Sequence, residues 1–143
     1  MVNGLLALGL LAGVWTGCQT MTRNAPDRSA ELFQTHVRSV LEHRCAHCHH
    51  PGKALAGLNV LDRDLVLGPQ SFVVPGDPKA SRLWVAIDSP ETHPRVMPGD
   101  GWGLGDRQKQ AFKDWIATGA EWPEGPTGAL QKKEYTVELE DGL

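Results

Sequence analysis

Two thiols and an imidazole stand close together in the run Cys45-Ala46-His47-Cys48-His49. Two cysteines separated by two residues lie about one helical turn apart, so both thiols can add across the vinyl groups of one haem. The histidine after the second cysteine can then donate a ring nitrogen to the iron. The run predicts one covalent haem c, held by Cys45 and Cys48, with His49 as an iron ligand.

Two other chemistries use the same cysteine spacing. A structural zinc needs about four protein ligands, and the sequence has no second pair of cysteines. His36, His43 or His93 would have to complete a Cys2His2 set. A redox-active dithiol of the thioredoxin type requires a βαβ setting, and no such pattern surrounds the motif. Haem attachment is the favoured interpretation, with zinc and dithiol chemistry as alternatives.

A second iron ligand is sought among the three methionines. Met1 is the initiator and Met21 lies near the N-terminus, whereas Met97 lies within a stretch rich in proline and glycine, His93 to Gly101. Proline fixes φ and glycine permits tight turns, so this stretch predicts a stiff loop able to hold a weak thioether donor. Met97 is the predicted distal ligand. His93 and an open sixth position are the alternatives.

The segment before the motif must position it. Apolar residues recur at helical spacing at Phe33, Val37, Val40 and Leu41, which predicts one buried helical face. We expect a helix capped by Asp27 or Ser29 that runs to about residue 47.

Two further helices are predicted downstream. Asp77-Pro78 is a typical helix start, with aspartate as N-cap and proline in the first turn. Asp106 is the expected cap of a later helix, which Gly119 ends. We expect Phe112 or Trp115 of this helix to pack near Phe33 and Val37.

Several other side chains are candidates for the haem surroundings. Trp84 and Trp102 are candidates to line the haem pocket, although ordinary packing is equally compatible with both. Arg44, Arg82 and Arg95 are candidates to pair with the haem propionates, with simple solvation as the alternative.

The N-terminus predicts export. Residues 5–14 form an apolar run too short to span a bilayer, typical of a signal peptide over residues 1–17. Trp15-Thr16-Gly17-Cys18 follows and resembles the lipobox of bacterial lipoproteins. The resemblance implies a lipid on Cys18 and a tether over residues 18–28. An ordinary secretory signal and a short buried helix are the alternatives.

The order of motifs resembles the planctomycete-type cytochrome c domain from about Val40 to Pro123. The similarity comprises the Cys-x-x-Cys-His run, residues 57–62 (GLNVLD), 73–84 (VVPGDPKASRLW), 97–98 (MP) and 115–123 (WIATGAEWP). Gly99 stands where the family has a second proline. The resemblance implies haem held by Cys45, Cys48 and His49, with Met97 as the distal ligand.

These observations combine into one prediction. We expect an all-α, loop-rich cytochrome c-like fold of about three to four short helices over residues 29–123, followed by a linker and tail over residues 124–143. The tail is expected to be disordered or a short edge strand. The net charge of −3 argues against nucleic-acid binding.

The predicted function is a periplasmic, lipid-anchored electron carrier for redox proteins and not an enzyme, with the choice of inner or outer membrane left open. A haem sensor or peroxidase-like enzyme, and a haem-containing subunit of a larger assembly, are the alternatives.

Overall fold

A computed structural model describes residues 24–136 of the chain. The predicted signal peptide, Cys18 and the tether up to residue 23 lie outside the described residues, as do residues 137–143. The described part is mostly helical and loop-rich, which agrees with the predicted fold class except for one short strand pair. The elements in chain order are α1 Ala25–Leu32, a π-helical turn Phe33–Val37, α2 Arg38–His43, a 3-10 turn Cys45–His47, β1 His49–His50, β2 Lys53–Ala54, a 3-10 turn Leu55–Gly57, α3 Arg63–Leu67, α4 Arg82–Asp88, α5 Asp106–Ala117 and a 3-10 turn Gly125–Thr127.

The first three elements form one continuous N-terminal helix over residues 25–43, which starts earlier than predicted. Asn24 is its N-cap, because the Asn24 side chain accepts a hydrogen bond from the backbone of Asp27 at 3.0 Å. Ser29, the other expected cap, is fully buried and donates to the carbonyl of Trp115 at 3.1 Å. The helix thus begins inside the segment assigned to a tether. It ends at His43, before the predicted position near residue 47.

The apolar face of this helix forms the core, as predicted. Phe33, Val37, Val40 and Leu41 are at most 1% exposed. The ring of Phe33 lies 5.9 Å from that of Trp115, so α5 crosses the N-terminal helix where expected. Full burial of a large apolar side chain stabilises the fold by about 1.5–3 kcal/mol, which makes this crossing the main anchor for the motif.

The N-cap of helix α5 lies one residue before the predicted cap, and the helix ends as predicted. Gly105 is its N-cap, and the Gln108 side chain accepts the Gly105 amide at 3.2 Å. Asp106 is therefore the first helical residue. At the other end, Gly119 has a φ of 117°, and the amide of Ala120 donates to the carbonyl of Trp115 at 2.8 Å. This is a Schellman closure, which favours glycine.

The helix predicted to start at Asp77-Pro78 starts instead at Arg82, with Ser81 as N-cap. The Asp77 carboxylate accepts the amide of Ala80 at 3.0 Å and so closes a separate turn. The Ser81 hydroxyl bonds the carbonyl of Asp77 at 2.8 Å and fixes that turn against the helix start. A local side-chain turn therefore replaces the expected first helical turn.

The segment after residue 123 packs on the domain over its described part, which differs from the predicted linker and tail. Trp122 donates its indole N–H to the carbonyl of Gly128 at 2.7 Å, and Leu130 is 9% exposed. Arg38 donates to the carbonyls of Thr127 and Ala129 at 2.8 and 2.7 Å. Residues 131–136 form no strand.

Among the helices within residues 24–136, none combines the length and apolar character needed to cross a bilayer.

Candidate haem-attachment site

The two cysteines lie in one tight turn directly after the N-terminal helix. The turn is closed by a hydrogen bond of 3.2 Å from the Cys48 amide to the Cys45 carbonyl, and both thiols are free. Burial raises the pKa of the Cys45 thiol to about 12, and the charge of Arg44 only partly opposes this. Reactive dithiols need a lowered pKa, so this environment argues against the dithiol alternative.

His49 is held in one tautomer. The residue is 8% exposed, and its Nδ1 lies 3.1 Å from the carbonyl oxygen of Leu55. A carbonyl only accepts hydrogen bonds, so Nδ1 must carry the proton and donate. The lone pair is then on Nε2, the nitrogen available to bind a metal. Metal-binding histidines are commonly oriented by this kind of second bond.

A short hairpin brings the Leu55 carbonyl to His49. Strands β1 and β2 pair antiparallel, with His49 opposite Ala54. The next turn places Ala56 and Gly57 at φ values of 54° and 76°. These left-handed residues reverse the chain immediately after Leu55. The imidazole is thus oriented by a structure built within the following ten residues or so.

Met97 lies in a less enclosed loop. Met97 is 37% exposed. Its backbone amide donates a hydrogen bond of 3.0 Å to the carbonyl of Ala86 in α4. The Met97–Pro98 peptide bond is cis. In His93, the alternative ligand, Nδ1 accepts a hydrogen bond of 3.1 Å from the Arg95 amide. Ligation by Met97 remains a prediction.

Arg44 joins the end of this loop to the motif. It is 2% exposed, donates through Nη2 to the carbonyl of Trp102, and lies 3.8 Å from the carboxylate of Asp100. Its Nε and Nη1 are buried without a hydrogen-bond partner in the described structure. A buried guanidinium with unused donors is suited to an anionic group beside the motif.

The other candidates for the haem surroundings differ from Arg44. Arg82 stacks on Phe72, with Cζ 4.1 Å from the ring centre. Arg95 is exposed. Trp84 is buried at 8% exposure, whereas Trp102 is 64% exposed. Arg44 is therefore the propionate candidate that the structure favours.

Exposed apolar side chains lie on the segments tied to the motif and the loop. Leu55 is 48% exposed and supplies the carbonyl that binds His49. Val85 is 52% exposed beside Ala86, the partner of the Met97 amide. Together with Met97 and Trp102, these side chains provide apolar surface that a haem plate would remove from water. The residues present therefore fit a haem.

Comparison with known proteins agrees with this chemistry. Residues 45–101 match the family model described as Planctomycete cytochrome C. Over these residues the chain is similar to that family. No curated protein and no solved structure shows a significant match. The predicted resemblance is confirmed over a segment that contains both cysteines, His49 and Met97, and a cytochrome c domain implies haem c.

The zinc alternative receives no support from the residues that the structure describes. No group of three or more histidine, cysteine or acidic side chains within residues 24–136 is arranged to hold a metal ion. Two cavities of about 260 and 340 Å³ lie around Arg63, Asp64 and Trp122, away from the motif. None of the motif residues 45–49 lines either cavity.

Sequence reasoning missed several residues around the cytochrome c motif. Glu42 is 1% exposed within the helix that leads to Cys45. Asp100, three residues after Met97, accepts a hydrogen bond from the Tyr135 hydroxyl, and Leu55 contributes its carbonyl to His49. Only Glu42 had a signal in the sequence, because it is a charged residue directly after Leu41 of the predicted buried face. The other three roles have no local signature.

Proposed function

We propose that the domain is a monohaem c-type cytochrome that transfers single electrons between extracytoplasmic redox proteins. The observation that carries the proposal is the bond from His49 Nδ1 to the Leu55 carbonyl, 3.1 Å long. This bond leaves Nε2 of a largely buried imidazole free one residue after the paired thiols. Orientation by a backbone carbonyl suits a permanent iron ligand.

The chain's own residues have distinct roles in this proposal. Cys45 and Cys48 would hold the haem covalently, and His49 and Met97 would bind its iron. When bound, the haem supplies an iron that cycles between two oxidation states, and a His/Met ligand pair raises its reduction potential relative to two histidines. Arg44 is placed to neutralise a propionate.

Export and membrane attachment complete the proposal. The apolar run before Cys18 supports a signal peptide, and the small residues beside Cys18 support lipidation. A lipid anchor would keep the carrier near its redox partners at the periplasmic face of a membrane. The family match supports a carrier more than an enzyme, because the proposed ligand pair leaves no position on the iron for a substrate.

The test is the absorption spectrum and mass of the exported, matured protein. We expect one covalent haem and a low-spin ferric spectrum with the weak long-wavelength band of methionine–iron ligation. Met97→Ala should abolish this band, and His93→Ala is the matched control that should retain it. A colourless protein, or one whose band survives Met97→Ala, contradicts the proposal. A low-spin wild-type spectrum that lacks this band and becomes high-spin in His93→Ala would transfer the ligand role to His93.

A further inference from the structure

The C-terminal segment over residues 129–136 crosses the end of the N-terminal helix. We refer to it as the C-terminal strap. Its amide at Gln131 donates to Oε1 of Glu42 at 3.0 Å, and the Lys133 ammonium lies 2.6 Å from Oε2. The Lys133 amide also donates to the Glu42 carbonyl at 3.1 Å. A buried carboxylate three residues before Cys45 therefore anchors the strap.

The strap continues from this anchor over the motif itself. His43 Nδ1 donates to the carbonyl of Glu134 at 2.9 Å. The ring of Tyr135 lies 5.1 Å from that of His47 and 5.6 Å from the guanidinium carbon of Arg44. These contacts place the phenol of Tyr135 between the attachment motif and the Met97 loop.

The phenol reaches the loop through Asp100. The Tyr135 hydroxyl donates a hydrogen bond to Oδ2 of Asp100, three residues after Met97. Oδ1 of Asp100 accepts the amide of Trp102 at 2.8 Å, and Arg44 lies 3.8 Å from Oδ2. Asp100 thus accepts a hydrogen bond from the strap and lies within ion-pair distance of Arg44, the residue before Cys45. The loop is otherwise tied to α4 by the amide of Met97 and to Arg44 by the carbonyl of Trp102.

We propose that Tyr135 is a positioning residue for the iron ligand Met97. Its hydroxyl holds Asp100, and through Asp100 it holds the Met97 loop against the haem-attachment side. A thioether is a weak iron donor, so the bound state depends on how rarely the loop opens. This inference rests on the proposed function, because it takes Met97 to be the distal ligand.

Imidazole binding to the ferric holoprotein measures loop opening. Exogenous imidazole reaches the iron only when Met97 has left it, so its apparent affinity scales with the open fraction. Removing one hydrogen bond to a carboxylate should raise that fraction about five- to tenfold. We expect Tyr135→Phe to bind imidazole about five- to tenfold more tightly than wild type, with the haem still covalently attached. Tyr135→Phe keeps the ring contacts and is expected to fold.

Two further variants show whether the hydrogen bond is responsible. Lys132→Ala alters an exposed neighbour in the same strap and should leave imidazole affinity unchanged. In an Asp100→Ala background, Tyr135→Phe should have no further effect. An unchanged affinity in Tyr135→Phe, or an equal change in Lys132→Ala, would overturn the inference.

The wild-type spectrum separates this inference from the proposed function. If wild type lacks the methionine–iron band, the proposed function fails and the inference fails with it. If wild type shows the band and Tyr135→Phe has wild-type imidazole affinity, the inference fails alone.

Discussion

On the attachment side of the proposed site, the contacts that orient the functional groups come from nearby residues. The amide of Cys48 bonds the carbonyl of Cys45, and His49 bonds Leu55, six residues on. On the Met97 side, residues 91–95 are all exposed, and side chains from distant segments supply contacts that join the loop to the rest of the domain. Asp100 accepts a hydrogen bond from Tyr135, 35 residues away. The carbonyl of Trp102 accepts one from Arg44, 58 residues away.

This difference has a physical consequence for ligand binding. A group fixed by local turns is already oriented when the surrounding helix folds, and little entropy remains to be lost on binding. A loop held by long-range contacts opens whenever those contacts are lost, which makes it the less stable side. The comparison therefore predicts that His49 stays on the iron under conditions where Met97 leaves it.

The largest expected effect is on the attachment side. Replacing both motif cysteines, Cys45→Ser with Cys48→Ser, should abolish covalent haem, because a serine hydroxyl forms no thioether with a vinyl group. Mass spectrometry of the matured double variant should show that the mass increment of haem is absent. Cys18→Ser is the control that removes the predicted lipid and should keep the haem. Covalent haem in the double variant would contradict the attachment site.

The next effect tests whether the strap belongs to the rigid side. Glu42→Gln removes the charge that binds Lys133 and weakens the bond to the Gln131 amide. Because Lys133 is about half exposed, we expect a loss of about 1–2 kcal/mol in the free energy of unfolding, measured by urea denaturation. Glu134→Gln, an exposed change in the strap, should cost less than ~0.5 kcal/mol. Equal losses would mean that Glu42 does not anchor the strap.

A pair of glycine substitutions compares the backbones of the two sides. Gly57 has a φ of 76°, so Gly57→Ala should destabilise the protein by about 1 kcal/mol. Gly99 is outside the left-handed region, and an added Cβ would meet only the Val96 carbonyl at 3.7 Å. Gly99→Ala should therefore be neutral or stabilising by up to about 1 kcal/mol. Thermal unfolding of both variants checks the prediction, and a larger loss for Gly99→Ala would reverse the comparison.

The smallest effect concerns the pH dependence of the Met97 side. Partial burial, the largest single influence, would raise the pKa of Asp100, but hydrogen bonds from Tyr135 and the Trp102 amide and the charge of Arg44 together lower it. A lowered pKa means that the ionised carboxylate stabilises the fold above the pKa of the unfolded chain, about 3.9. This contribution is lost as the pH falls through the folded-state pKa.

Asp100→Asn should therefore be less stable than wild type near neutral pH, and the difference should shrink below about pH 4. Thermal unfolding of both proteins from pH 6 to pH 3 measures it. A stability difference that stays constant over this range would show that the Asp100 charge contributes nothing. Lys132→Ala is a suitable control, because its pH profile should follow that of wild type.

The sequence by itself determined the features that depend on residue type and short-range spacing. The Cys-x-x-Cys-His run predicted haem attachment, and the residues Phe33, Val37, Val40 and Leu41 identified the buried face. Gly119 was recognised as a helix stop because a Schellman closure needs a left-handed residue. Helix starts were less well predicted: Asn24, Ser81 and Gly105 are the observed N-caps. Several polar residues compete for each cap, and packing selects among them.

Only the tertiary structure decided which distant groups meet at the motif. The anchor of the strap at Glu42, the bond from Tyr135 to Asp100 and the burial of Arg44 join segments separated by 35 to 91 residues. A charged side chain has the same appearance in the sequence whether it is solvated or paired. Its partner is fixed when the helix crossing brings the segments together, since burial then makes an unpaired charge costly.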